Sequence, residues 1–181
     1  MMGAEITFLQ GAKVRIVPFA PEDVTDAYVG WLNDSEVTRF SNQRFRTHTR
    51  ATCEQYRASF EGTSNQFLSI RDAKSGDAIG TMTVYASDHH GTCDVGIMIG
   101  NRDYWGGGYG QEAWSLVVDY LLAPTPDGGG VRKLTAGCLV VNLAMVTLMQ
   151  RSGMTLEAVR KDQEMLDGEP CDIIHYARFR D

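Results

Sequence analysis

Hydrophobic and polar positions change period several times along the chain. Residues 13–19 alternate as a strand does, and Pro21 follows where the first turn of a helix tolerates proline. Val24, Ala27, Tyr28, Trp31 and Leu32 then recur at helical spacing, an apolar stripe that predicts a helix ended by Asn33-Asp34. A polar, arginine-rich stretch over 35–50 leads to a second predicted helix, in which Cys53, Tyr56 and Phe60 share a face and Gly62 stops the run. From Gln66 the period is two. Strands over 66–72, 78–86 and 92–100 are separated by Lys74-Ser75-Gly76-Asp77 and by Asp88-His89-His90-Gly91, the punctuation of an antiparallel meander.

A glycine-rich loop over 101–110 opens onto a helix over 111–122, where Ala113, Leu116, Val117, Tyr120 and Leu121 form an apolar face ended by Pro124 and Gly128-Gly129-Gly130. Residues 133–140 read as a buried strand and 142–151 as a short helix with Gly153 as its stop. Strands over 155–164 and 171–179, joined at Asp167-Gly168, close the chain as a hairpin. The sum is one α/β (α+β) domain over 1–181, with a mostly antiparallel mixed sheet of about seven strands and four helices.

Composition narrows the function. With 17 Lys and Arg against 23 Asp and Glu the net charge is -6, which argues against a nucleic-acid partner and slightly favours a cationic small molecule. Cys53, Cys93, Cys138 and Cys171 show no metal-ligand or disulfide spacing, so reduced thiols and no metal are expected. No stretch reaches bilayer-spanning length and the N-terminus lacks a basic region before a long apolar run, so the expected location is the cytoplasm, away from membranes.

Gly100-Asn101-Arg102-Asp103-Tyr104-Trp105-Gly106-Gly107-Gly108-Tyr109-Gly110-Gln111-Glu112-Ala113 joins a strand to an amphipathic helix, the context of an anion cradle. Gly106, Gly108 and Gly110 are the phosphate-contact candidates, because backbone without Cβ approaches an anion closely. The loop ends Gly-Gln-Glu, unlike a P-loop, and the meander before it is unlike the βαβ unit of a dinucleotide fold.

The run from Ile97-Met98-Ile99-Gly100 through Tyr104-Trp105-Gly106-Gly107-Gly108-Tyr109-Gly110-Gln111-Glu112-Ala113 resembles the signature of the GNAT superfamily of N-acetyltransferases, in its ribosomal-protein-acetyltransferase-like branch. Trp105, Gly108 and Gly110 map onto the pyrophosphate motif, with Trp105 in place of Gln or Arg. Asn142 followed by Gly153-Met154, and Trp31-Leu32-Asn33-Asp34-Ser35-Glu36-Val37, are similar to two further family segments. The resemblance implies acetyl-coenzyme A in a splay between the fourth and fifth strands, here 92–100 and 133–140. Backbone groups of Ile97, Met98 and Ile99 would pair with the pantetheine arm. The loop from Trp105 through Gly106, Gly107, Gly108, Tyr109 and Gly110 would hold the pyrophosphate, and Asn142 would meet the arm further along while also capping its helix.

Acetyl transfer to a primary amine needs a group to take the amine proton. Asp94, on the face shared with Gly96 and Met98, is the first candidate, and several relatives carry glutamate there. His89 and His90 are the next. Many relatives place a tyrosine acid where this chain has Met149, which leaves Tyr109, Tyr85 or simple thiolate release. Glu112 sits where a carboxylate complements the helix dipole, a structural role. The acceptor wall of the family falls on Asn42-Gln43-Arg44-Phe45-Arg46-Thr47-His48, whose arginines and histidine also suit a nucleotide phosphate. Acceptors open at this point are an amino sugar, a polyamine, an aminoglycoside or a protein N-terminus, with a non-catalytic acyl-coenzyme A sensor as the competing class. Such folds often form homodimers, and nothing in the sequence fixes this.

Overall fold

A computed structural model describes residues 5–180; the start of the N-terminal stretch, 1–4, and residue 181 lie outside the described residues. One eight-stranded sheet organises them. Its strands are β1 (Leu9–Gln10), β2 (Val14–Pro18), β3 (Gln66–Asp72), β4 (Ala78–Ser87), β5 (Thr92–Ile99), β6 (Lys133–Leu139), β7 (Thr155–Leu166) and β8 (Glu169–Phe179), in the order β1-β2-β3-β4-β5-β6-β8-β7. Every pairing is antiparallel except β5 with β6. A helix returns the chain between those two strands, as a parallel neighbour requires.

Five helices flank the sheet: α1 (Asp26–Asn33), α2 (Ser35–Thr38), α3 (Arg50–Ala58), α4 (Tyr109–Leu122) and α5 (Leu143–Arg151). Two elements exceed the count expected from periodicity. β1 is two residues long and α2 is one turn set by its Asp34 cap, both too short to carry a period. The first predicted helix is also divided. Pro21–Asp23 is a 3-10 turn, Val24 leaves it, and Thr25 caps α1 by accepting from the Tyr28 N–H at 3.2 Å. Ala27 is exposed, so the buried stripe of α1 is Tyr28 and Leu32.

Each face of the sheet is covered. On one, α4 and α5 bury Trp114, Val117, Leu121 and Met149 against Ile16, Leu68, Ile70, Val95 and Leu134. The buried Trp114 indole donates to the Ser152 hydroxyl at 3.0 Å, which satisfies the one polar atom such a ring brings inside. On the other face, α1 and α3 bury Tyr28, Leu32 and Cys53 against Phe19 and Phe67, with Met98 at their edge. The predicted terminal turn is a two-residue one with Asp167 at φ 51° and Gly168 at φ 87°, the left-handed pair that matches strand twist.

Candidate active site

β5 and β6 stay in register only over Thr92↔Lys133, Cys93↔Leu134 and Asp94↔Thr135. Beyond Asp94 the strands part, so residues 95–99 have β4 on one side and no strand on the other. The Gly100 N–H donates to the Ile79 carbonyl of the β4 side at 3.0 Å, and hydrogen-bonding direction alternates along an antiparallel strand. Met98, opposite Thr81, therefore turns its backbone groups to β4, while Ile97 and Ile99 turn theirs into the open splay. Of the three residues expected to present backbone to a pantetheine arm, Met98 instead gives its backbone to β4 and its side chain to the α1 and α3 face of the sheet. The Ile99 carbonyl already accepts from the Trp105 indole at 2.8 Å, which leaves its N–H and both groups of Ile97 for a ligand.

The glycine loop lies at the open end of the splay. Gly106 at φ +74° and Gly108 at φ +83° occupy conformations that side chains resist, and no atom lies within 4 Å of where a Cβ on Gly106 would stand. A methyl on Gly107 would press to 2.9 Å from the Tyr109 ring, which packs edge-on against Tyr104 at 4.9 Å. Gly108 is the N-cap of α4 and contributes no side-chain cap, so the first-turn N–H groups of Tyr109, Gly110 and Gln111 point outward without an intrahelical acceptor. A cradle of this form with a helix dipole behind it fits a pyrophosphate. Lys13 stands beside it, its ammonium 5.4 Å from the Tyr109 ring. Glu112 is fully engaged: its carboxylate accepts from the N–H groups of Ala12, Lys13 and Val14 at 3.2, 2.7 and 2.8 Å and fastens the β1–β2 turn to α4. Asn142 caps α5 by accepting from the Met145 N–H at 3.2 Å.

The end of α1 ties this loop to the opposite wall. Trp31 lies flat on Gly100, where any side chain would overlap the indole. Asn33 grips the backbone of His48 from both sides, donating to its carbonyl at 2.9 Å and accepting from its N–H at 2.8 Å. Asp34 caps α2 through the Glu36 N–H at 2.8 Å and reaches Arg102 of the loop at 3.6 Å. Trp31, Asn33 and Asp34 thus bridge the glycine loop and the predicted acceptor wall.

Two cavities open on this face of β5. The larger, about 630 Å³, is lined by Gly96, Ile97 and Met98 of β5, by Tyr28, Tyr56 and Phe67, and by Gln43, Arg46, Thr47 and His48 of the expected acceptor wall. The smaller, about 250 Å³, lies at the closed end of the splay between Asp94, Gly137, Cys138, Glu164 and His175. Asn42 roofs it and donates to Glu164 at 3.1 Å. Asp94 keeps an exposed side, yet the cavity walls desolvate its carboxyl enough to raise it above the usual carboxylate range, against the opposing pull of the Thr135 hydroxyl, which donates at 2.8 Å, and of nearby His175. His175 reaches this place because β6 has Gly137 opposite it; a Cβ there would lie 2.8 Å from the imidazole Nδ1. Its Nε2 is buried without a hydrogen-bond partner, as is Nε2 of His48 in the larger cavity.

His89 and His90 fall elsewhere, on the exposed β4–β5 turn, and line neither cavity. His90 is engaged through its backbone, its N–H donating to the Ser87 carbonyl at 3.1 Å and its carbonyl accepting from Arg132 at 2.6 Å. Met149 is fully buried in the core and does not face the site. Tyr85 bonds the Tyr56 hydroxyl at 2.7 Å at the rim of the larger cavity. Sequence reasoning missed His175 and Thr135, which meet Asp94 only through strand order. Burial pushes the thiol of Cys93 up to about 12 and that of Cys138 up to about 11, so neither offers a thiolate near neutrality. Among the described residues no group of three or more His, Cys, Asp or Glu stands together to hold a metal, and no helix is long and apolar enough to cross a membrane.

A mixed sheet splayed between two parallel strands, with an uncapped glycine cradle at the open end, defines a coenzyme A-dependent acyltransferase fold. The acetyltransferase (GNAT) domain family matches residues 13–155, and the chain belongs to that family. Its members use acetyl-coenzyme A as acyl donor. Similar solved structures include a GNAT-family acetyltransferase from Bacillus anthracis, at TM-score 0.80 and 19% identity over 96% of this chain and 99% of that one. Others are a ribosomal-protein-S5-alanine acetyltransferase from Vibrio fischeri (TM-score 0.80, 15% identity, 97% of each chain) and a spermidine N-acetyltransferase from Vibrio cholerae in complex with CoA and spermine (TM-score 0.81, 13% identity, 94% and 97%). Among curated proteins none matches. At these identities the structural likeness speaks for the fold.

Proposed function

We propose that this chain acetylates the primary amine of a small molecule by direct attack within a ternary complex, and that Asp94 takes the amine proton. The observation that carries this reading is the placement of Asp94 on the same face of β5 as Gly96 and Met98, which line the larger cavity, beside the point where the strands part. The uncapped cradle of Gly106, Gly107, Gly108, Tyr109 and Gly110, with Trp105 bracing Ile99, would bind the pyrophosphate of the donor. Free backbone groups of Ile97 and the Ile99 N–H would order its arm in the manner of an added strand, and Asn142 flanks it further along. Bound there, acetyl-coenzyme A supplies an activated thioester. The amine nitrogen forms the new N–C bond, the C–S bond breaks, Asp94 accepts the amine proton, and the thiolate is released to be protonated by solvent. A backbone N–H turned into the splay is suited to the developing oxyanion. The raised thiols of Cys93 and Cys138 favour direct transfer over an acyl-cysteine route.

The test is amine-dependent thiol release from acetyl-coenzyme A across polyamines, aminoglycosides, amino-sugar nucleotides and N-terminal peptides, beside calorimetric binding of coenzyme A. Turnover on a small amine is expected. Turnover on peptides alone would assign the chain to protein N-termini, and tight coenzyme A binding with no turnover on any class would make it a sensor.

A further inference from the structure

We propose that the acceptor is a small primary amine with an apolar body that carries a carboxylate or phosphate, and that Arg46 and His48 hold that anion. This rests on the acetyl-transfer reading above and names its substrate class. The first observation is charge. No Asp or Glu lines the 630 Å³ cavity, although the chain carries 23 acidic residues against 17 basic ones. A polycation entering it would leave ammonium groups desolvated with no carboxylate to receive them, beside a resident guanidinium.

The second observation is that Arg46 stays unpaired among the described residues while the neighbouring arginines are spoken for. Arg39 pairs with Asp167 at 3.6 Å, Arg44 with Glu164 at 4.0 Å, Arg50 with Asp26 at 2.7 Å and Arg57 with Glu61 at 2.7 Å. Arg46, between them in sequence, makes no ion pair with any described residue and lines the cavity. His48 is pinned through its backbone by Asn33, yet its Nε2 is buried against the same cavity without a partner. A fixed imidazole and an unpaired guanidinium two residues apart form an anion fork.

The third observation is the floor. Tyr28, Tyr56 and Phe67 line it; Phe67 is held between Phe19 at 4.2 Å and Phe60 at 5.2 Å, and the more exposed Tyr56 meets it edge-on at 5.3 Å. Burial raises the phenols of Tyr28 and Tyr56 well above the ordinary tyrosine value, so these rings stay neutral. An apolar body lying against the exposed ring of Tyr56, with one end at Arg46 and His48, turns the other toward Gly96 of β5, beside Asp94. The acidic side chains belong to the adjoining cavity, where the amine proton is delivered. The overall negative charge of the chain, which by itself slightly favours a cationic acceptor, is therefore not the charge that the acceptor meets.

The test uses the whole chain loaded with coenzyme A or acetyl-coenzyme A and four probes: 4-(aminomethyl)benzoate, its neutral amide, the corresponding aryl phosphate, and spermidine. Thiol release and calorimetric binding are both read. The expected result is a preference of about 10-fold or more for an anionic probe over the amide, the scale of a charged hydrogen-bonded pair. Arg46→Ala brings that ratio close to one, Arg46→Lys restores part of it, and His48→Gln narrows it, with coenzyme A affinity as the folding control. The benzoate and phosphate arms tell the two anions apart. Preference for spermidine, equal use of amide and benzoate, or a ratio untouched by Arg46→Ala would each overturn the proposal. If no probe is turned over, Arg46-dependent binding of an anionic probe upholds the anion site while the transfer reading falls; absence of such binding removes the anion site whatever the turnover.

Discussion

The two cavities beside β5 share one face of one sheet and are built for opposite charges. The larger is lined by aromatic, hydroxyl and amide side chains with Arg46 and His48 and no carboxylate, whereas the smaller gathers Asp94, Glu164 and His175 in less than half the volume. The difference shows how a chain of net charge -6 can keep carboxylates out of one cavity and place Asp94 and Glu164 in the cavity next door. A carboxylate inside the larger cavity would hold the amine as an ammonium ion, which cannot attack a thioester. Placed at the boundary, and raised by desolvation, Asp94 can take the proton as the bond forms.

Removing the carboxylate is the most severe way to break this comparison. Asp94→Asn should lower kcat by about 100-fold or more, the scale of a lost general base, with coenzyme A affinity unchanged by calorimetry. A near-normal kcat would transfer the proton to solvent and reduce the smaller cavity to a structural feature. Next in size is the clamp on the acceptor wall. Asn33→Ala frees His48 at both backbone atoms and should raise the acceptor KM by about 10-fold while leaving kcat close to wild type. An equal loss in kcat would instead mean that the bridge to the glycine loop is what matters.

The pH profile sharpens the contrast. Because the Asp94 carboxyl is raised, the acidic limb of kcat should lie above the ordinary carboxylate value of about 3.9. The Thr135 hydroxyl opposes that rise, so Thr135→Val should move the limb to higher pH, and a shift to lower pH would contradict the pairing. The same raised group costs stability once ionised. Folding holds its proton more tightly than the unfolded chain does, an advantage complete below the unfolded value and lost as pH rises through the folded one. Asp94→Asn should therefore be somewhat more stable than wild type to urea at pH 7, with the gap closing as pH falls. Of comparable or smaller scale, and away from both cavities, Glu112→Ala strips the acceptor from three N–H groups and should cost about 1–3 kcal/mol in urea unfolding. It should leave the acceptor preference unmoved.

How much of this was legible depends on the range of the signal. The glycine loop, the meander and the Asp167-Gly168 turn are written in neighbouring residues, and the chain follows them within a residue or two at most ends. The Trp31-Leu32-Asn33-Asp34 segment was legible as a likeness but not as a mechanism, because Gly100, His48 and Arg102 come to it through folding. His175 carried no local mark at all. It meets Asp94 because β8 lies between β6 and β7 and because Gly137 leaves room for its ring. His89 and His90, five and four residues before Asp94 along the chain, were drawn away by the turn they occupy.

By itself the sequence determined the elements, the family and the glycine loop, since periodicity, turn residues and glycine act over a few positions of backbone. Only the tertiary structure decided where β5 and β6 part, which backbone groups face the gap, and which charges line each cavity. Those depend on pairing register and strand order, and a side chain's electrostatic surroundings are set by residues far from it in the chain.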